Sequence, residues 1–120
     1  MLSELQIVIV ESDELIRELL ERWLREAGYH PISGAEDHRP PAVLAQLVIA
    51  DISDPGSAGA TIEALRTAYG APILVLSARF RRGLGGSREA AQRLQVGKVL
   101  PKPFTREELL CAVREALKGS

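Results

Sequence analysis

Leu47-Val48-Ile49-Ala50-Asp51-Ile52-Ser53-Asp54-Pro55-Gly56 is the stretch whose reading decides the fold. Four apolar residues run straight into one carboxylate, and turn formers follow. A short, continuous apolar run marks a parallel strand buried on both faces, because helices cover it from each side. Pro55 has no amide hydrogen for a ladder and Gly56 has a free backbone, so the run ends there. Asp51 is therefore predicted at the carboxyl end of a central strand, where open α/β sheets place their ligands.

Working outward, the same alternation of elements repeats. Upstream, residues 6–10 form an apolar, β-branched strand that ends in Glu11-Ser12-Asp13-Glu14. Leu15, Ile16, Leu19, Leu20, Trp23, Leu24 and Ala27 then recur at helical spacing, with Ser12 or Asp13 as the cap and Gly28 as the stop. Residues 29–33 form a weak second strand. Pro40-Pro41 blocks a helix through the polar segment after it, leaving one turn at most over residues 42–45. Downstream, a helix is predicted over 59–69 and a strand over 73–76, ending at Ser77-Ala78. A glycine- and arginine-rich loop spans 79–86, and a short helix capped by Ser87 runs to Leu94. Residues 96–100 form a fifth strand ended by Pro101. Thr105-Arg106-Glu107-Glu108 is a capping box opening a last helix, with Leu109, Leu110, Val113, Ala116 and Leu117 on one face. Strands alternating with helices imply βαβ units, hence an α/β, doubly wound, five-stranded parallel sheet with helices on both faces. The helix between strands two and three is expected to be shortened.

Composition narrows the function classes. The 120 residues read as one domain, 1–120, whether whole or cut from a larger regulator or hybrid kinase. Hydrophobic residues make up 46% and charged ones 26%, which suits a globular chain rather than a disordered one. A net charge of -1 gives no footprint for nucleic acid or an acidic membrane. The single cysteine, Cys111, excludes an internal disulfide and a thiolate metal cluster, and is read as a small core or boundary residue. Trp23 is read as a core or boundary anchor. No apolar run approaches a membrane span and no signal-peptide pattern opens the chain, so a cytoplasmic location is the expectation. Arg79, Arg81, Arg82 and Arg88 read as a solvated charged loop or, alternatively, as a docking patch for an acidic partner.

The conspicuous polar residues all fall at strand ends on one edge. Glu11, Ser12 and Asp13 follow strand one, Asp51 strand three, Ser77 strand four and Lys102 strand five. Clustered carboxylates with nearby loop carbonyls suit Mg²⁺, which takes hard oxygen ligands and keeps some waters. A hydroxyl and an ammonium opposite them suit the oxygens of a phosphoryl group. Together they point to phosphoryl transfer onto a carboxylate, a chemistry that needs mostly positioning and charge neutralisation.

Over essentially its whole length the chain resembles the receiver domains of two-component response regulators. The residues that carry the resemblance are Ile7-Val8-Ile9-Val10-Glu11 with Ile16-Arg17, Asp51 with Pro55 and Gly59, Ser77-Ala78, and Lys102-Pro103-Phe104. The resemblance implies a flavodoxin-like fold with strand order 2-1-3-4-5. It implies that Asp51 is phosphorylated by a histidine kinase or phosphotransferase, and that the switched surface is read by a downstream output domain or protein. Ser77 would contact the phosphoryl group and report it by shifting inward, and Lys102 would pair with the carboxylate and then with the phosphoryl. Lys102-Pro103 would be a cis peptide, a form largely confined to X-Pro bonds. Mg²⁺ would be held by Glu11, Asp51 and the backbone carbonyl of Ser53, with Ser12 or Asp13 as the further candidates. A signalling domain of this kind is not an enzyme beyond transfer to its own Asp51, contacts neither nucleic acid nor membrane directly, and allows a homodimer.

Three departures from that family pattern stand out. Receivers carry two adjacent acids after strand one; here the second position is Ser12, so Mg²⁺ should bind more weakly. The aromatic switch position, three before the lysine, is Val99. The Pro40-Pro41 region is short and the loop over 79–86 long. These departures keep a second reading open, a pseudo-receiver that acts as a constitutive protein-interaction module. A phosphohydrolase is disfavoured because the acid needed two residues after the nucleophile is Ser53, and a nucleotide-binding module because no P-loop or GxGxxG follows strand one.

Overall fold

The strand that opens on Leu47 is the middle of the sheet. In a computed structural model of the chain, residues 6–11, 13–34, 45–52, 58–77 and 98–118 are described. They form β1 (Gln6–Val10), α1 (Glu14–Glu26), β2 (His30–Ser33), β3 (Leu47–Asp51), α2 (Ala58–Tyr69), β4 (Ile73–Ser77), β5 (Lys98–Pro101) and α3 (Arg106–Lys118). All strands pair in parallel in the order β2-β1-β3-β4-β5, the doubly wound arrangement expected from the alternation of elements. The predicted helix over 87–94, the 79–86 loop, residues 42–44 of the possible turn over 42–45, and the expected shortening between β2 and β3 lie outside the described residues.

The pleat sends successive residues to opposite faces, and each face has its own core. Ile7, Ile9, Leu47, Ile49, Leu74 and Leu76 pack with Leu20 and Leu24 of α1 and Leu109, Ala112, Val113 and Ala116 of α3. Val8, Val48, Ala50, Val75 and Val99 pack on the other face with Ile62, Leu65 and Tyr69 of α2. Fully burying one such leucine is worth about 1.5–3 kcal/mol, so these contacts rather than helix propensity hold α1 and α3 in place.

The helix ends follow their local chemistry. Asp13, not Ser12, takes the cap of α1: its side chain accepts the N–H groups of Leu15 and Ile16. Gly28, at φ 94°, closes the helix in a Schellman motif, with Tyr29 N–H to Leu24 O and Gly28 N–H to Arg25 O. The capping box forms in both directions, with Thr105 N–H to Glu108 at 2.8 Å and Glu108 N–H to Thr105 at 3.1 Å. Proline is tolerated in β2 and β5 because both are edge strands, where a missing donor faces no partner; β5 accordingly runs through Pro101 rather than stopping before it.

Three residues do not follow the helical pattern. Leu15 is 79% exposed and Leu19 40% exposed, although both lie on the predicted apolar stripe of α1. The stripe is wider than the sheet it covers, so only Leu20 and Leu24 are buried. Cys111 is exposed and makes a long contact with Glu115. Leu109, Ala112, Val113 and Ala116 fill the sheet-facing side, and position 111 turns away from it.

Gly34 ends β2 where a side chain has no room. A Cβ there would meet Val8 Cγ1 and lie 2.5 Å from Tyr69 Oη. Val8 and Tyr69 are both buried and cannot easily yield. Gly34→Ala is expected to destabilise the domain by about 1–3 kcal/mol, the usual cost of overpacking, measured as a lower midpoint in urea denaturation.

Candidate functional site

Three strand ends deliver three charged groups to one spot. Asp51 is the last residue of β3, Glu11 follows β1, and Lys102 follows β5. The parallel register aligns these ends: Val10 lies beside Ala50, Asp51 beside Leu76, and Ser77 beside Pro101. Lys102 Nζ lies 2.6 Å from Asp51 Oδ1 and 3.6 Å from Glu11 Oε1, so one ammonium faces two carboxylates. The lysine side chain is 18% exposed, Asp51 16% and Glu11 1%, so the cluster is shielded but Asp51 remains reachable.

Glu11 is the most constrained member. Its Oε2 accepts the backbone N–H of Asp13 at 3.2 Å. Its Oε1 is buried without a hydrogen-bond partner. The carboxyl is held above the ordinary glutamate value. Burial is the largest cause, and the negative charge of Asp51 adds to it. Lys102 and the Asp13 N–H pull the other way.

The loop carrying Lys102 is fastened at both ends. The Lys102–Pro103 peptide is cis. The Lys102 N–H donates to Ser77 O at 3.0 Å, which ties the loop to the end of β4. On the other side Phe104 meets Trp23 of α1 edge-on, with ring centroids 6.4 Å apart and planes 67° apart. Ile16, Leu19, Trp23, Lys102, Pro103 and Phe104 line a groove of about 360 Å³ beside the charged cluster. Ser77 is fully buried at the end of β4.

A divalent cation fits the oxygens that converge here. Two carboxylates meet from different strands, and one of them presents a buried oxygen with no hydrogen bond. Hard oxygen donors of this kind suit Mg²⁺. The donor set is lean, since no group of three or more His, Cys, Asp or Glu able to hold a metal occurs among the described residues. Asp13 is exposed, and its side chain is engaged in capping α1 rather than directed to the cluster. Ser12 and Ser53 lie outside the described residues.

The sequence pattern singles out Glu11, Asp51, Ser77 and Lys102, and the structure brings Glu11, Asp51 and Lys102 into one cluster with Ser77 latched to Lys102 through the backbone. It does not single out the supports: the Trp23–Phe104 contact and the Asp13 N–H on Glu11. The capping-box and helix-start signals place both segments, but not their contact across the fold.

No family model matches the chain. Protein PetR of Rhodobacter capsulatus is 34% identical over 119 residues, covering 93% of this chain and 48% of that protein. Transcriptional regulatory protein CpxR of Escherichia coli is 28% identical over 121 residues, covering 96% and 50%. The chain thus spans about half the length of the curated relatives it matches. Among solved structures, the non-phosphorylated HemR receiver domain from Leptospira biflexa superposes with a TM-score of 0.71 at 25% identity, covering 95% of this chain and 94% of that one. A response regulator receiver protein from Burkholderia phymatum gives 0.74 at 23%, with 96% of each chain covered. No described helix is long and apolar enough to cross a membrane.

Proposed function

Since this chain is a response regulator receiver domain, we propose that Asp51 accepts a phosphoryl group from a histidine kinase or phosphotransferase and thereby switches a protein-interaction surface. The observation that carries the reading is the 2.6 Å contact between Asp51 and Lys102 at the carboxyl edge of the sheet. A carboxylate oxygen of Asp51 attacks phosphorus, the bond from phosphorus to the donor breaks, and an acyl phosphate remains on Asp51. Lys102 holds Asp51 in place beforehand and then turns its charge to a phosphoryl oxygen. Ser77, at the end of β4, supplies a hydroxyl to the same group. Glu11, Asp51 and the Ser53 carbonyl would hold Mg²⁺, which neutralises charge on the transferring group when bound.

The donor approaches over the exposed end of α1. Leu19 lines the groove that Lys102 helps to form, Leu15 stands open to solvent one turn earlier on α1, and a phosphodonor helix with an apolar stripe would cover them on its way to Asp51. The output reader is the domain or protein that recognises the switched surface. Val99, buried at 1% exposure under α2, leaves no ring to rotate at that position, so the readout runs through Ser77 and Lys102.

The lean metal site supports one competing reading, a pseudo-receiver that binds partners constitutively. Incubation with Mg²⁺ and acetyl phosphate, followed by intact mass, separates the two. A receiver gains one phosphoryl group when Mg²⁺ is present and none when Mg²⁺ is withheld from the incubation. A pseudo-receiver gains none until Ser12→Asp supplies a second acid. That added carboxylate is expected to tighten Mg²⁺ binding by about tenfold, equivalent to about 1.4 kcal/mol, read by calorimetric titration.

A further inference from the structure

We propose that Asp13 is a positioning residue for the Mg²⁺ site, acting through Glu11 rather than by touching the ion; the proposal rests on the receiver reading and names one more residue that serves it. Asp13 does two things at once. Its Oδ1 accepts the N–H groups of Leu15 at 3.0 Å and Ile16 at 3.2 Å, which fixes the residue in the extended cap conformation, φ -80° and ψ 114°. In that conformation its own N–H points back along the chain and donates to Glu11 Oε2 at 3.2 Å. This bond occupies Oε2, the oxygen opposite the one that faces Lys102. Oε1 is left buried without a hydrogen bond and faces Lys102, its ion-pair partner, 3.6 Å away.

The cap and the acid are therefore one unit. If the cap is lost, the Asp13 backbone is free to leave the extended region, its N–H leaves Oε2, and Glu11 loses the contact that aims Oε1. With Oε2 unpartnered and only the 3.6 Å ion pair to Lys102 left on Oε1, the buried carboxylate would reorient toward another donor. Groups that orient metal ligands from behind are typically worth about tenfold or more in metal affinity. Among the described residues two acids, Glu11 and Asp51, converge on the site, so misdirecting one is felt in full. The side chain of Asp13 is spent on the helix and exposed, which separates this role from that of a direct ligand.

The test compares Asp13→Ala and Asp13→Asn with the unaltered domain, well below the melting transition of each. Mg²⁺ affinity is read by calorimetric titration, and the Mg²⁺ dependence of phosphorylation by acetyl phosphate is read separately. Asn caps helices as well as Asp but carries no charge. Asp13→Ala is expected to weaken Mg²⁺ binding by about tenfold, raising the Mg²⁺ concentration for half-maximal phosphorylation while leaving the rate at saturation unchanged. Asp13→Asn is expected to restore affinity to within about twofold. Unchanged affinity in Asp13→Ala, with only a lower melting temperature, overturns the proposal and leaves a plain helix cap. Asp13→Asn binding as weakly as Asp13→Ala also overturns it, because charge and not the cap would then matter. If the unaltered domain binds no Mg²⁺ and takes up no phosphoryl group, the receiver reading falls and this assignment with it. If it does both and neither variant differs, the Asp13 assignment alone is lost.

Discussion

Asp51→Asn is expected to leave the domain folded and to reduce phosphoryl incorporation from acetyl phosphate and Mg²⁺ to an undetectable level. The asparagine fills the same volume at the end of β3, and Lys102 keeps Glu11 as a partner at 3.6 Å. What disappears is the nucleophile, since a neutral amide has no anionic oxygen to bond to phosphorus. Intact mass after incubation checks the chemistry, and a cooperative urea transition checks the fold. Incorporation that survives the substitution would place the acceptor on another residue.

Lys102→Ala carries the second large effect, this time on stability. Glu11 and Asp51 would face one another without the ammonium between them. Stripping one partner from a shielded charge pair costs about 3 kcal/mol or more at neutral pH. The penalty has a pH signature. Because the Glu11 carboxyl sits above its ordinary value in the folded protein, the native state binds a proton more readily than the unfolded chain. The slope of stability with pH follows protons bound unfolded minus protons bound native, which is negative in that window. Stability from Glu11 is thus highest at and below the ordinary glutamate value and falls as pH rises through the raised one. Removing Lys102 takes away a group that lowers the Glu11 value, so the fall becomes deeper. Urea denaturation at pH 7 should show the full deficit, and at about pH 4, near the ordinary glutamate value, most of it should be gone. A deficit independent of pH would mean that the lysine stem, not its charge, does the stabilising.

The place of Asp51 at the end of a buried strand was legible from β3 alone, because a continuous apolar run closed by turn formers marks such a strand; a role for it needed Ser77 and Lys102 as well. The helix starts and stops were legible for the same local reason: Asp13, Gly28 and the Thr105/Glu108 box act within a few residues of themselves. The pairing of Lys102 with both carboxylates follows from strand order, which local pattern does not fix; the family resemblance supplied it. Leu15 shows the limit of periodicity, which finds the apolar side of a helix but not how much of that side a neighbour covers. Cys111 shows the same limit on α3, one step around from the buried face. Trp23 and Phe104 meet across the fold, and nothing local to either announces the other.

One backbone contact shapes how such a switch can move. The N–H of Lys102 is bonded to the carbonyl of Ser77, so the ends of β4 and β5 are joined through the two residues assigned to the phosphoryl group. A pull on the serine drags the lysine with it, and a shift of the lysine loop tugs on β4. The two contacts then share a single degree of freedom, so the domain would report phosphorylation in one concerted step rather than as two graded adjustments.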